Sequence, residues 1–432
     1  MPSDSAVVDP ARTLAAAVRA DSASQVREVL AKYPDLKSRL DDALPGAPFG
    51  GTALLAAVAR GNREMIDVLL RAGANIDARS HWWAGSFGVL DHDGPLASFL
   101  IDRGATVDAH AAARLGMIDR LDALVSANPE IVHARGGDGQ TPLHFAASVA
   151  VAEYLLDHGA DIDARDVDHE STPAQWMVRD RQDVARALVR RGCGTDILMA
   201  AALGDLELVR RHLDADPSCI SMSVSEEFFP KQDPRSGGCI YIWTIGANKT
   251  AHLIARELGH DAVFELLRER TAPGLALAIA CTIGDEDMTH ALLRAHPNLV
   301  DSLGDRERRQ LAVAAQDNDL AAVRRMLAAN WPVDGRGQHG GTPLHWAAWN
   351  GNTEMVRELL KHRPSLEITD EAFNGTPLGW AIYGSVHGWR CKDGDYAGTV
   401  DALLQAGANP PANIDDLDAS EAVRDVLRRG RP

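Results

Sequence analysis

The sequence predicts an all-α protein built as a helical-repeat solenoid of about ten to twelve irregular units. Three observations carry that expectation. A ten-residue window, usually opened by Thr and filled with small apolar residues, recurs along the chain. A longer run with apolar residues at helical spacing follows most copies, and Gly commonly closes that run. Such a chain adds length by adding units and needs no single large core, so 432 residues count repeats here and not globular domains.

One unit shows the parts in order. Thr52 to Gly61 (TALLAAVARG) reads as a short first helix, Asn62 to Leu70 as the longer second helix, and Gly73 as its left-handed stop. Thr caps the first helix, and the small Ala pair allows close approach of its neighbours. The same window lies at Thr141 to Ala150, Thr172 to Arg181, Thr195 to Gly204, Thr250 to Gly259, Leu275 to Gly284, Thr342 to Gly351 and Thr376 to Ser385. Weaker copies lie at Ala11 to Ala20, Val107 to Gly116 and Arg309 to Asn318, and a degenerate unit spans His81 to Gly104. Paired leucines mark the second helices: Leu69-Leu70, Leu155-Leu156, Leu266-Leu267, Leu292-Leu293, Leu359-Leu360 and Leu403-Leu404. Ser420 to Arg429 reads as a terminal capping helix.

Two segments break the period. The first, 216–249, carries Phe228, Phe229, Tyr241 and Trp243 in a β-prone context and is expected to form an inserted loop or hairpin between repeats 1–215 and repeats 250–432. Loops of this length in compact arrays are commonly functional. The second, 384–398, separates the last clear first helix from its second helix. Shorter spacings between Arg181 and Gly204, and between Gly259 and Gly284, predict units without a full turn finger.

The motif Thr-Pro-Leu-His, at Thr141 to His144 and again at Thr342 to His345, with Ala-Ala following, resembles the ankyrin repeat. The resemblance covers most of the chain. It implies that finger tips and the exposed side of each first helix line a concave groove used for recognition, that His144 and His345 bridge backbone groups of neighbouring repeats, and that Phe145, Trp176, Trp346 and Trp380 face the stack.

Composition narrows the function classes. A formal net charge of −17 sets up a field that repels phosphate backbones, so nucleic acid is not an expected partner. No apolar run reaches the roughly 20 residues of a membrane span, and Met1 to Arg12 lacks the pattern of a secretory signal; a cytoplasmic location is expected. Five cysteines without CxxC spacing point to reduced, mostly buried thiols and to no metal site. Asp91-His92-Asp93 reads as turn chemistry, and Gly136 to Gly139 as a finger turn and not a phosphate loop. An array with capped ends is expected to be monomeric.

By the resemblance, the groove positions on first helices are aromatic only toward the C-terminus, at Trp349 and Tyr383; the finger positions supply Phe49, His169, His339 and Phe373, the last two in the same C-terminal units, with His387 and Trp389 added by the second insertion. Large rigid side chains bury much area at low entropy cost, so this patch is expected to bind a protein partner, with a local aromatic core as the structural alternative. The competing expectation is a cofactor-independent lyase or hydrolase, or a small-molecule receptor, in which Trp243, Trp349, Tyr383 and Trp389 enclose the ligand. His387 or His339 would then act as acid or base and Asp393 or Asp395 would orient it, with Cys391 a possible nucleophile. No nucleophile elbow, HExxH helix, Walker loop or dinucleotide fingerprint accompanies these residues, and no cofactor is expected.

Overall fold

The computed structural model describes residues 9–91 and 95–429. Every described element is a helix or a turn; no strand occurs among the described residues. Short first helices pair with longer second helices, as in Ala53–Ala59 with Arg63–Ala72, Pro343–Trp349 with Thr353–Leu360, and Pro377–His387 with Tyr396–Gln405. The windows dictate these boundaries through their caps. Thr52 Oγ1 accepts from the Leu55 amide, Thr172 Oγ1 from Gln175 and Thr376 Oγ1 from Gly379, each satisfying an otherwise orphaned N–H. At the other end Gly73 adopts φ 106°, the left-handed stop that a side chain would strain. In the Thr195 window the cap is Asp196 instead, whose carboxylate accepts from Met199, while Thr195 Oγ1 bonds His212. The terminal helix is Glu421–Arg429. The degenerate unit keeps one helix, Ala97–Ile101; His92 and Asp93 lie outside the described residues, and Asp91 is buried against Arg79 at 2.8 Å.

Apolar second-helix positions and first-helix alanines make a continuous buried layer, exemplified by Leu311, Ala347, Met355, Val356, Leu359, Ala381 and Leu403, all fully enclosed. Each unit buries the exposed face of its neighbour, so stability is shared along the array. Fingers are stitched by the motif histidines. His345 Nδ1 accepts from the Thr342 amide (3.1 Å) and its Nε2–H donates to the Gly375 carbonyl of the next finger (3.0 Å); His144 does the same between Thr141 and Ser171. Phe145, Trp346 and Trp380 are buried in the stack and Trp176 half-buried.

The chain divides into two compact units. One comprises residues up to Asp214 together with Met222–Lys249; the other comprises Ala215–Ser221 and the chain from Thr250 onward. Most of the inserted segment thus folds as part of the first unit. It holds no strand: its regular features are short helical turns at Pro217–Ser221 and Ile242–Gly246 and one backbone pairing of Val224 with Asn248 and Lys249, while other groups of the segment bond to finger residues. Glu170 accepts from the amides of Gln232 and Asp233 (2.8–2.9 Å), the Asp168 carbonyl from Gly237 N–H (2.9 Å) and Ser236 Oγ–H (2.6 Å), and Ser171 Oγ from Ile240 N–H (3.0 Å).

Candidate functional sites

In the second unit, helices Pro343–Trp349 and Pro377–His387 pack side by side and bring the C-terminal aromatics together. Buried Trp346 and Trp380 meet edge to face at 5.0 Å. Trp389, from the second insertion, stacks on Trp346 at 5.9 Å and meets Trp349 edge-on at 6.0 Å. Tyr383 stacks on Trp349 at 6.4 Å and on His387 at 4.3 Å, and Phe373 lies 5.5 Å from His339 on adjoining finger tips. The outer members stay open to solvent: Phe373 is 70 % exposed, Trp389 66 % and Tyr383 51 %.

The loop carrying Trp389 is held from beneath. Tyr396 Oη–H donates to the Trp349 carbonyl at 2.7 Å. Gly388 is required at this crossing, since a Cβ there would sit 2.4 Å from Tyr396 Oη. The patch is therefore a fixed surface built on two helices and one braced loop.

The titratable residues singled out in this region are committed elsewhere. Asp395 caps helix Tyr396–Gln405 through Gly398 and accepts from Thr353 Oγ1 at 2.9 Å. Asp393 pairs with Arg390 at 2.7 Å. His387 is consequently oriented by neither; its Nε2 lies 2.6 Å from Asp418 Oδ2, in solvent. His339 has φ 59° and its carbonyl accepts from Glu371 and Ala372, a finger-turn role. Cys391 is exposed, while Cys193, Cys239 and Cys281 are buried; none of the five cysteines forms a disulfide.

The first unit holds a site that periodicity did not reveal. The inserted segment roofs a cavity of about 720 Å³ whose walls include Asp166, His169, Gln175, Asp196, Phe229 and Cys239. Trp243 lies on the same segment but not on the cavity wall, 69 % exposed, 6.3 Å from the His169 ring and bonded through its indole N–H to the Gly237 carbonyl. Fully buried Tyr241 donates its hydroxyl to Asp196 Oδ2 at 3.0 Å. Burial raises Asp196 and Asp166 above the ordinary carboxylate range, raises the Cys239 thiol, and raises the Tyr241 phenol far above its usual value. Convergent titratable groups with shifted acidities beside a cavity are the usual physical mark of a binding site. The available signal was the run Asp166, Asp168, His169, Glu170 in one finger, acidic beyond what a turn needs.

Comparison with known proteins agrees with the helix pairs. A family model of ankyrin repeats in three copies matches residues 109–199, 251–370 and 311–414, and a single-repeat ankyrin model matches 49–81. Palmitoyltransferase Hip14 of Drosophila melanogaster is 28 % identical over 126 residues, which is 29 % of this chain and 18 % of that protein. Palmitoyltransferase AKR1 of Lachancea kluyveri is 31 % identical over 103 residues, 23 % of this chain and 12 % of that protein. The chain thus spans less than a fifth of either relative. With matched models over most of its length and histidine-stitched fingers along both units, the chain belongs to the ankyrin-repeat family.

Proposed function

We propose that this protein is a recognition scaffold whose partner is another protein, docked on the concave side of the second unit across Trp349, Tyr383, Trp389 and Phe373. The observation that carries this reading is the braced, solvent-open aromatic ladder, since exposed rings of this size on a rigid support are what interface hot spots use. The acidic surface would steer a partner with a basic face. Replacing Trp349, Tyr383 and Trp389 together by Ala should weaken binding of a partner, identified by affinity capture and then titrated as a pure protein, by at least about 100-fold, as loss of two or more hot spots implies. Undiminished affinity in a variant with native circular dichroism would remove the patch from the interface.

A second reading rests on the roofed cavity of the first unit: a receptor or hydrolytic site for a small polar molecule, with His169 and Asp166 among the titratable groups on its wall. A saturating metabolite, at about 100 times its dissociation constant, adds roughly 2.7 kcal/mol to stability and so raises the melting temperature. A screen in chelator is expected to find such a shift and Phe229→Ala to reduce it; a flat screen against polar metabolites leaves the cavity without this role.

A further inference from the structure

Asp138, Asp168 and His169 stand together in the first unit, and of the three only His169 has entered the reading of the neighbouring cavity. One ligand-capable atom from each lies within 4.8 Å of the other two, and His169 Nε2 is 3.7 Å from Asp168 Oδ2. The grouping follows from the stacking of successive fingers. The Asp138 carbonyl accepts both the Val167 and Asp168 amides (2.8 and 3.1 Å), locking one finger tip onto the next. Asp138 itself has φ 54°, the left-handed turn of its finger.

We propose that these three side chains form a binding site for a first-row divalent metal ion such as Zn²⁺ or Mn²⁺. Four features support it. His169 Nδ1–H donates to the Gly238 carbonyl at 3.0 Å, which fixes the tautomer with its lone pair on Nε2, the atom facing the carboxylates. Asp168 Oδ1 accepts from the Gly237 amide at 3.1 Å, leaving Oδ2 turned toward the ring. Asp138 is 9 % exposed, and its Oδ1 is buried with no hydrogen bond of good geometry and the Trp82 indole N–H nearby, so a carboxylate oxygen is held out of water close to the other two ligands. Lastly, the nearby cations are engaged elsewhere: Arg235 pairs with Asp233, and Arg135 with the Gly139 and Arg165 carbonyls.

The donor set selects the ion. One imidazole with two carboxylates suits Zn²⁺ or Mn²⁺ better than Ca²⁺ or Mg²⁺, which favour oxygen ligands throughout. At metal–ligand lengths of about 2.0–2.2 Å the donor atoms close to roughly 3.3–3.6 Å apart, so Asp138 moves inward by at most about 1.5 Å while the His169–Asp168 pair, at 3.7 Å, is nearly in place. Three protein ligands leave at least one coordination position for water or a further group. The His169 tether to Gly238 also gives the inserted segment a part in the site, because it sets the ring's orientation from outside the coordination sphere.

The test uses the full chain after chelator treatment, titrated with Co²⁺ and followed by its d–d absorption, with Zn²⁺ as competitor. One equivalent should bind saturably, Zn²⁺ should displace it, and millimolar Mg²⁺ should not. Asp138→Asn and His169→Gln should each weaken binding at least tenfold, and His387→Gln should leave it unchanged. Absence of saturable binding, or unaltered binding in both finger variants, overturns the proposal. Should either variant lose native circular dichroism, X-ray absorption of the Zn²⁺-loaded wild type decides: a shell of oxygen donors with one imidazole supports the site, and two or more imidazoles, or any sulfur, rejects it.

Discussion

Acidification from pH 7 to about 4.5 is expected to open the second unit before the first. His252 in the second unit is buried, its Nε2–H donating to Thr271 Oγ1 at 2.6 Å while Nδ1 is enclosed without a partner. A proton on Nδ1 would be a buried, unbonded charge, and burial accordingly lowers its pKa to about 4. His345, in the same unit, is likewise lowered by burial, and a proton on its Nδ1 would confront the Thr342 amide. The sign follows from proton uptake: these groups titrate near 6.5 when unfolded, so the unfolded state binds more protons and stability is lost as pH falls below about 6.5. By pH 4.5 the His252 contribution alone is on the order of 2–3 kcal/mol. Asp370 does not contribute in this range: its pKa is lowered, so its stabilising ionised form is lost only below about pH 4.

The first unit carries opposing groups. His144 is lowered by burial to about 3 and behaves like His252. Asp138, in contrast, is raised to about 6, chiefly by burial, and Asp166 and Asp196 are also raised. A carboxyl whose folded pKa exceeds its unfolded value is costly when ionised, so stability is regained as pH falls through about 6 toward 4. Hydrogen exchange of the chelator-treated protein at pH 7 and 4.5, corrected for intrinsic chemical rates, should show protection lost first in Ala251–Arg270 and Pro343–Leu360. Equal loss in both units, or earlier loss around Pro173–Arg190, would contradict the assignment.

How much of this was legible before the structure depended on whether a residue answers to its own neighbours in sequence or to a distant segment. Thr52, Thr172, Thr342 and Gly73 work within one turn of where they stand, so their caps and stops could be read directly. The clustering of Trp349, Tyr383 and Trp389 was also readable, because repeat periodicity fixes which helix positions align and the insertion begins directly after Tyr383. The inserted segment was not. Its aromatics suit a strand, but the segment's partners are Asp168, Ser171 and Asp196, some forty to seventy residues away by chain position, reached by Ser236, Ile240 and Tyr241. The same distance hid the Asp138, Asp168 and His169 grouping, since each looks like ordinary finger chemistry until consecutive fingers are stacked. Asp393 and Asp395 show the converse error of proximity. Close to His387 in sequence, they are claimed by Arg390 and a helix cap.

Tyr241→Ala should have the largest effect of any single substitution in the inserted segment. The side chain is fully enclosed, meets Phe229 edge to face at 5.5 Å, and its hydroxyl bonds an Asp196 carboxylate that also caps helix Ile197–Ala202. Truncation removes a buried aromatic, leaves a cavity, and leaves Asp196 Oδ2 without this donor in a buried site, together about 3–5 kcal/mol of local stability. Tyr241→Phe separates the causes: it keeps the packing and deletes only the hydroxyl, so about 1–3 kcal/mol is expected. Because the segment's other buried apolar side chains, Val224, Cys239 and Ile240, are small and its remaining ties are hydrogen bonds to Glu170, Asp168 and Ser171, loss of its deeply buried ring should release it as a unit. Limited proteolysis reads this directly. Wild type should resist cleavage at Lys231 and Arg235, Tyr241→Phe should be cut somewhat faster, and Tyr241→Ala should be cut there well before either unit unfolds. Equal resistance in all three would mean that the finger contacts alone hold the roof, and that Tyr241 is packed without bearing on the cavity beneath it.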